Sequence, residues 1–264
     1  MKKKIIKILK KKNKSKIVSL TAYSKNIATI LDSHCDIVLV GDSVANVLYG
    51  HKNTHNVKLE TIIEHAISVK KGIKKSLLVV DMPKGTYSSK KIALKNAKKI
   101  IKLTKCHAVK LENNKKNYDI IKYLVNSNIS VMGHIGYTPQ FKKKFKIEGK
   151  SIVKAKILLN DALKIEKAGA FSIVLECLAP EASKLITNKL KIPTIGIGSS
   201  VYCDGQILVT DDLLGMSGFY PKFVKKYINL NTTIEKTIKK YSKEVKLKKF
   251  PSKRNFLNGW KFRK

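Results

Sequence analysis

Eight short apolar runs, separated by amphipathic stretches of helical period, dominate the chain and limit what it can fold into. They span 17–23, 36–41, 76–81, 108–112, 130–136, 171–176, 193–198 and, more weakly, 206–210. Ile37-Val38-Leu39-Val40 and Leu77-Leu78-Val79-Val80 are apolar at every position, the pattern of strands covered on both faces. Between the runs, residues 24–33, 59–74, 89–105, 115–127, 151–168 and 180–190 repeat apolar side chains every three or four positions, as helices do. Ser88 or Ser89 is placed to cap the third of these, and Gly169 to end the fifth. Such alternation predicts a parallel α/β sheet. Eight units predict a TIM barrel, with an open doubly wound sheet as the rival. No repeat and no Pro/Gly/Ser-rich linker interrupts the pattern, so one barrel domain is expected over 1–264. A basic helical tail from about residue 228 is expected to hold one helix at 232–245.

A chain of 264 residues is long enough for a sizeable core. It has no apolar stretch of membrane-spanning length. Met1-Lys2-Lys3-Lys4-Ile5-Ile6-Lys7 lacks the sustained apolar segment of a secretory leader. Cys35, Cys106, Cys177 and Cys203 are scattered without a CxxC pair, as for reduced thiols in a cytoplasmic protein with neither zinc site nor disulfide framework. The formal net charge is +37, from 55 Lys+Arg against 18 Asp+Glu. Taken alone, that favours nucleic-acid binding. Against it, the bases are almost all Lys rather than the better phosphate fork, Arg, and they are spread through every predicted helix. Enrichment in Ile, Asn and Lys throughout points to compositional drift. No specific nucleic acid and no membrane is expected as a partner.

Ionisable residues stand at the C-terminal ends of run after run: Asp42, Asp81, Lys110 with Glu112, His134 and Glu176. In a barrel those ends open on one face, where active sites are built. A single acid there reads equally well as a helix cap. Five strands each sending an ionisable group to one rim need another explanation, because the gathered charge costs stability unless something compensates it. Asp42, Asp81 and Glu112 form an all-oxygen set that suits a hard divalent cation such as Mg²⁺. Lys110 and Glu112, two apart on a strand, share a face, so one can meet a substrate carboxylate while the other meets the metal. Glu176 follows Ile173-Val174-Leu175. Apolar neighbours raise a carboxyl's proton affinity and suit it to abstract a proton from carbon. The Gly196-Ile197-Gly198 pair lets backbone approach a ligand closely but lacks the third glycine of a dinucleotide fingerprint.

Several segments together resemble the ketopantoate hydroxymethyltransferase family from about residue 17 to 250. They are Leu20-Thr21-Ala22-Tyr23, Val40-Gly41-Asp42-Ser43, Gly50-His51, Val109-Lys110-Leu111-Glu112, Leu175-Glu176-Cys177 and Ile192-Pro193-Thr194-Ile195-Gly196-Ile197-Gly198. The most specific are Gly133-His134-Ile135-Gly136-Tyr137-Thr138-Pro139-Gln140 and Cys203-Asp204-Gly205-Gln206-Ile207-Leu208-Val209. The resemblance implies a (β/α)8 barrel of the phosphoenolpyruvate mutase/isocitrate lyase type. It implies transfer of a hydroxymethyl group from 5,10-methylenetetrahydrofolate to 3-methyl-2-oxobutanoate, giving 2-dehydropantoate for pantothenate synthesis. By motif, Asp42, Asp81 and Glu112 become the Mg²⁺ positions. Asp42, Ser43, Asp81, Lys110 and His134 become substrate contacts, and Glu176 the proton acceptor. The family's usual assembly is a homodecamer.

The chain departs from the family pattern in places. Ser24 follows Tyr23 where Asp is usual, and Thr54-His55-Asn56-Val57-Lys58 stands near a usual Thr-Leu-Pro-Val-Thr. Lys84 replaces an aromatic. Phe141-Lys142-Lys143-Lys144-Phe145-Lys146 replaces a longer loop with Gly-Gly-Tyr. The alternatives are a related metal-dependent barrel lyase or mutase, whose usual Cys-centred loop motif is missing here, and a basic nucleic-acid-binding protein.

Overall fold

Strands with every side chain buried must be covered on both faces, and β2 (Ile37–Val40) and β3 (Leu77–Asp81) are buried at every position. The computed structural model describes residues 2–114, 117–142, 145–218 and 220–256. In chain order β1 (Ile17–Thr21) precedes that pair. After it come β4 (Ala108–Lys110), β5 (Val131–Gly136), β6 (Ser172–Glu176), β7 (Thr194–Ile197) and β8 (Gly205–Leu208). Each strand pairs in parallel with the next, and β8 pairs back onto β1. The sheet is therefore a closed (β/α)8 barrel, and the open doubly wound alternative is excluded.

The helices are α1 (Lys2–Leu9), α2 (Lys25–Leu31), α3 (Val44–Val47), α4 (Leu59–Lys70), α5 (Lys90–Thr104), α6 (Tyr118–Asn126), α7 (Ile152–Lys167), α8 (Pro180–Lys189), α9 (Thr210–Leu213) and α10 (Leu230–Lys246). Their starts follow local chemistry. Ser89 and Ser151 cap α5 and α7, accepting from the Ile92 and Lys154 N–H groups at 3.3 Å each. Pro180 opens α8, where its missing N–H costs nothing. Gly169 follows α7 at φ +94, a left-handed turn where a Cβ would strike Val125. Lys115 and Lys116, where the sequence pattern starts the fourth long helix, lie outside the described residues, as do Lys143, Lys144 and the chain from 257 onward. Among the described residues, no helix is long and apolar enough to cross a membrane.

The sequence reading did not foresee the short helices α3 and α9, the second of which starts where the eighth run was expected to end. Residues 198–204 join β7 to β8 without a helix, and α1 was not expected. Its apolar Ile5 and Ile8 are buried in the same cluster as the barrel-lining Ile17, Ile37, Leu77, Met132, Val174 and Ile207. Lys4 Nζ donates to the Lys74 and Ser76 carbonyls just before β3, at 2.7 and 2.9 Å. The helix therefore plugs the N-terminal end of the barrel. A second, larger cluster fills the ring between the strands and the outer helices. With one end plugged, only the C-terminal end remains for a ligand.

Ile8→Ala should therefore cost roughly 2–5 kcal/mol, the usual range for a buried Ile→Ala change. Urea unfolding would report it as a lower midpoint at unchanged slope. A midpoint matching wild type would show that α1 is not part of the core.

Candidate active site

The two-residue period of a strand places alternate side chains on one face. On β3 that face reads Leu77, Val79, Asp81. On β4 and its exit it reads Ala108, Lys110, Glu112, on β5 Met132, His134, and on β6 Val174, Glu176. The lower members belong to the apolar lumen. The same faces thus change from apolar to ionisable on reaching the C-terminal end. Register brings the ionisable ends together: Asp81 is paired with Lys110, and Gly136 with Glu176.

Lys110 Nζ lies 2.7 Å from Asp81 Oδ1. The Asp42 N–H donates to Asp81 Oδ2 at 3.1 Å, which ties the turn after β2 to the end of β3. His134 Nε2 lies 3.1 Å from Glu176 Oε2, and its Nδ1 lies 3.6 Å from Glu112 Oε1. Neither ring nitrogen makes an aligned hydrogen bond. Ser43 Oγ is 2.7 Å from the Tyr23 hydroxyl. Asp42, Asp81, Lys110, Glu112 and His134 are all buried, and Glu176 is the most open of the group. Every site residue expected from sequence therefore stands at the C-terminal end of the barrel.

Two further residues join the set. Gln140 donates from its N–H to Glu112 Oε2 at 3.0 Å and from Nε2 to Asp42 Oδ2 at 2.9 Å, and its Oε1 accepts from the Tyr87 hydroxyl. Gln140 entered the sequence reading only inside a motif, and Tyr87 did not enter it. A polar amide four residues past the end of the fifth run was the available signal. At the Gly196–Gly198 pair, the space beside each glycine is taken by side chains, Gln206 and Cys203 at Gly196. Gly198 has φ +58, and the space for its Cβ is taken by the Phe223 ring and the Cys177 thiol.

The electrostatics follow from burial without enough positive charge. Burial pushes the Asp81 carboxyl up to about 6, against the pull of Lys110 and helped by Asp42. Burial and then Asp42 push Glu112 well above the usual range. Burial raises Glu176 to about 8, with Lys110 opposing and Asp42 assisting. Burial and the Lys110 charge hold His134 well below its usual value, so the ring is neutral. Lys110 itself is raised. Burial opposes its charge, but Asp81, Asp42 and Glu112 outweigh it. Glu112 Oε1 is buried without an aligned hydrogen bond, whereas Asp81 Oδ1 has the Lys110 ammonium 2.7 Å away. Among the described residues, no three His, Cys, Asp or Glu side chains stand at metal-ligand spacing. Buried acceptor oxygens and surplus negative charge nonetheless form a donor set that fits a hard dication.

The ketopantoate hydroxymethyltransferase family profile matches residues 2–253. The 3-methyl-2-oxobutanoate hydroxymethyltransferase of Pelagibacter ubique (strain HTCC1062) is 55% identical over 255 residues, covering 97% of this chain and 99% of its own. That of Anaplasma marginale (strain Florida) is 45% identical over 250 residues, covering 94% and 90%. Among solved structures, phosphoenolpyruvate phosphomutase from Streptomyces platensis subsp. rosaceus superposes with TM-score 0.63 at 9% identity, over 92% of this chain and 87% of its own. 2,3-Dimethylmalate lyase, a PEP mutase/isocitrate lyase superfamily member, gives 0.63 at 12% identity over 96% and 88%. The chain shares their fold.

A carboxyl with raised proton affinity binds its proton more tightly folded than unfolded. Its contribution to stability is complete below the unfolded value of 4.5 and is lost as pH rises through about 8. Glu176→Gln should therefore gain stability relative to wild type between about pH 5 and about pH 9. Thermal melts at the two pH values check this, and a pH-independent difference would contradict it.

Proposed function

Since the chain belongs to the ketopantoate hydroxymethyltransferase family, we propose that it transfers a hydroxymethyl group from 5,10-methylenetetrahydrofolate to 3-methyl-2-oxobutanoate, making 2-dehydropantoate for pantothenate synthesis, with Mg²⁺ held by Asp42, Asp81 and Glu112. The reading is carried by Glu176, a carboxyl raised to about 8 at the one open end of the barrel and beside a neutral imidazole.

The reaction needs a proton taken from C3 of the oxo acid, a carbon acid far too weak for an ordinary carboxylate. Each unit by which Glu176 is raised narrows that gap by about 1.4 kcal/mol. Glu176 takes the C3 proton, and the electron pair left behind spreads onto the carbonyl oxygen. Lys110, fixed by Asp81, supplies positive charge where that negative charge collects. Ser43, held by Tyr23, and Asp42 contact the oxo acid from the β2 side. His134, neutral and 3.1 Å from Glu176, contacts substrate beside the base without competing for its proton. When bound, Mg²⁺ supplies Lewis acidity toward the oxo acid. Water frees the one-carbon unit from both folate nitrogens as formaldehyde, with tetrahydrofolate as leaving group. The carbanion then bonds to the formaldehyde carbon, the C=O π pair moves to oxygen, and that oxygen takes up a proton to become the new hydroxymethyl group.

The same reading places the protein in the cytoplasm as a homo-oligomer. In support of assembly, α10 has no buried residue and exposes Ile238 and Tyr241 among its apolar side chains.

In D₂O with Mg²⁺ and no folate, the protein should exchange the C3 proton of 3-methyl-2-oxobutanoate, as followed by NMR. Glu176→Gln should slow exchange by about 10²–10⁴-fold, the usual contribution of a general base. Addition of the folate donor should yield 2-dehydropantoate. Absence of exchange and product with wild-type protein would overturn the reading.

A further inference from the structure

Gln140 comes from the loop after β5 rather than from a strand, yet it touches two of the acids. It is 1% exposed, and every polar atom that it brings to the site is used. Its N–H meets Glu112 at 3.0 Å. Its side-chain Nε2 meets Asp42 Oδ2 at 2.9 Å and the Met82 carbonyl at 3.2 Å, and its Oε1 meets the Tyr87 hydroxyl. Asp42 and the Met82 carbonyl are acceptors only, so the NH₂ end must face them. The carbonyl end is then acceptor only, so Tyr87 must donate. The orientation of the amide is therefore dictated by its partners.

We propose that Gln140 is a positioning residue that, held by Tyr87, fixes the rotation of the Asp42 carboxylate so that its other oxygen faces the substrate and cation. Asp42 lies in the turn Gly41-Asp42-Ser43, where the backbone is pinned by the N–H contact to Asp81 and where, among the described residues, the carboxylate accepts a hydrogen bond from Gln140 alone. Without that donor the carboxylate can rotate about its last bond. A charged donor would neutralise Asp42, whereas an amide orients it and leaves the negative charge available. Tyr87 is buried and packs edge-on to Phe141, with ring centroids 6.3 Å apart. From the α3–α4 loop, His55 Nε2 donates to the Pro139 carbonyl at 2.9 Å, one residue before Gln140. A residue from a segment that departs from the family pattern thus braces the clamp. The inference rests on the metal-dependent reading above, and partners that orient metal ligands in this way are commonly worth 10–100-fold in affinity or activity.

The test is Mn²⁺ titration of the substrate-free protein, followed by paramagnetic resonance, for wild type, Gln140→Leu and Tyr87→Phe. The backbone N–H contact to Glu112 survives in both variants, so the comparison isolates Asp42. Gln140→Leu should weaken Mn²⁺ by about 10-fold or more and lower kcat more than it raises KM. Tyr87→Phe, which keeps the amide and removes only its anchor, should weaken Mn²⁺ by a smaller factor in the same direction. It serves alone if Gln140→Leu does not fold. Wild-type Mn²⁺ affinity in a folded variant would overturn the role of Gln140 and leave the proposed reaction standing. A wild-type protein without Mn²⁺ affinity would sink the metal-dependent reading and this inference with it.

Discussion

One buried ammonium group, that of Lys110, stands among the carboxylates of Asp81, Asp42, Glu112 and Glu176. Burial disfavours every charge in this group, and one cation does not offset four potential anions. The structure responds with raised proton affinities at Asp81, Glu112 and Glu176. A fold under selection for stability alone would replace such a cluster with apolar side chains, as it does two residues lower on the same strands. Under the proposed function, substrate and a hard cation would complete the cluster and offset its cost. The same tension raises the proton affinity of Glu176, as the proposed role of general base requires.

The barrel frame holds this imbalance in place. Apolar side chains fill the lumen, α1 closes its N-terminal end, and the parallel register aligns the ionisable residues at the other end. Contacts such as Asp42 N–H to Asp81 and Gln140 to both Asp42 and Glu112 then link adjacent strand exits into one network.

Most of this frame was legible in the sequence because it depends on local periodicity. Runs such as 37–40 and 77–80 announce doubly covered strands, and the ionisable residue after each run announces the rim. What was not legible depends on distant partners. Gln140 carries no charge to draw notice, and Asp42 and Met82 lie 98 and 58 residues away from it. The α1 helix is half lysine, so its Ile5 and Ile8 face is clear only once the barrel end that receives it is seen. The segment around Asp204 is specific in sequence but lies at the opposite end from the chemistry. Asp204 Oδ2 accepts from Lys12 Nζ and the Thr194 N–H, both at 2.8 Å, and so locks the N-terminal segment to β7 and β8. A distinctive motif therefore marks a constraint without saying whether that constraint is catalytic or architectural.

The central claim is that crowded, partly protonated acids are set to receive a dication. It is tested most directly by calorimetric Mg²⁺ titration near pH 6.5 in buffers of different ionisation enthalpy. The account predicts saturable binding with net proton release, because the raised carboxylates must ionise as the cation enters, and loss of both in Asp81→Asn. Binding without proton release, or an Asp81→Asn protein that binds as wild type does, would contradict it.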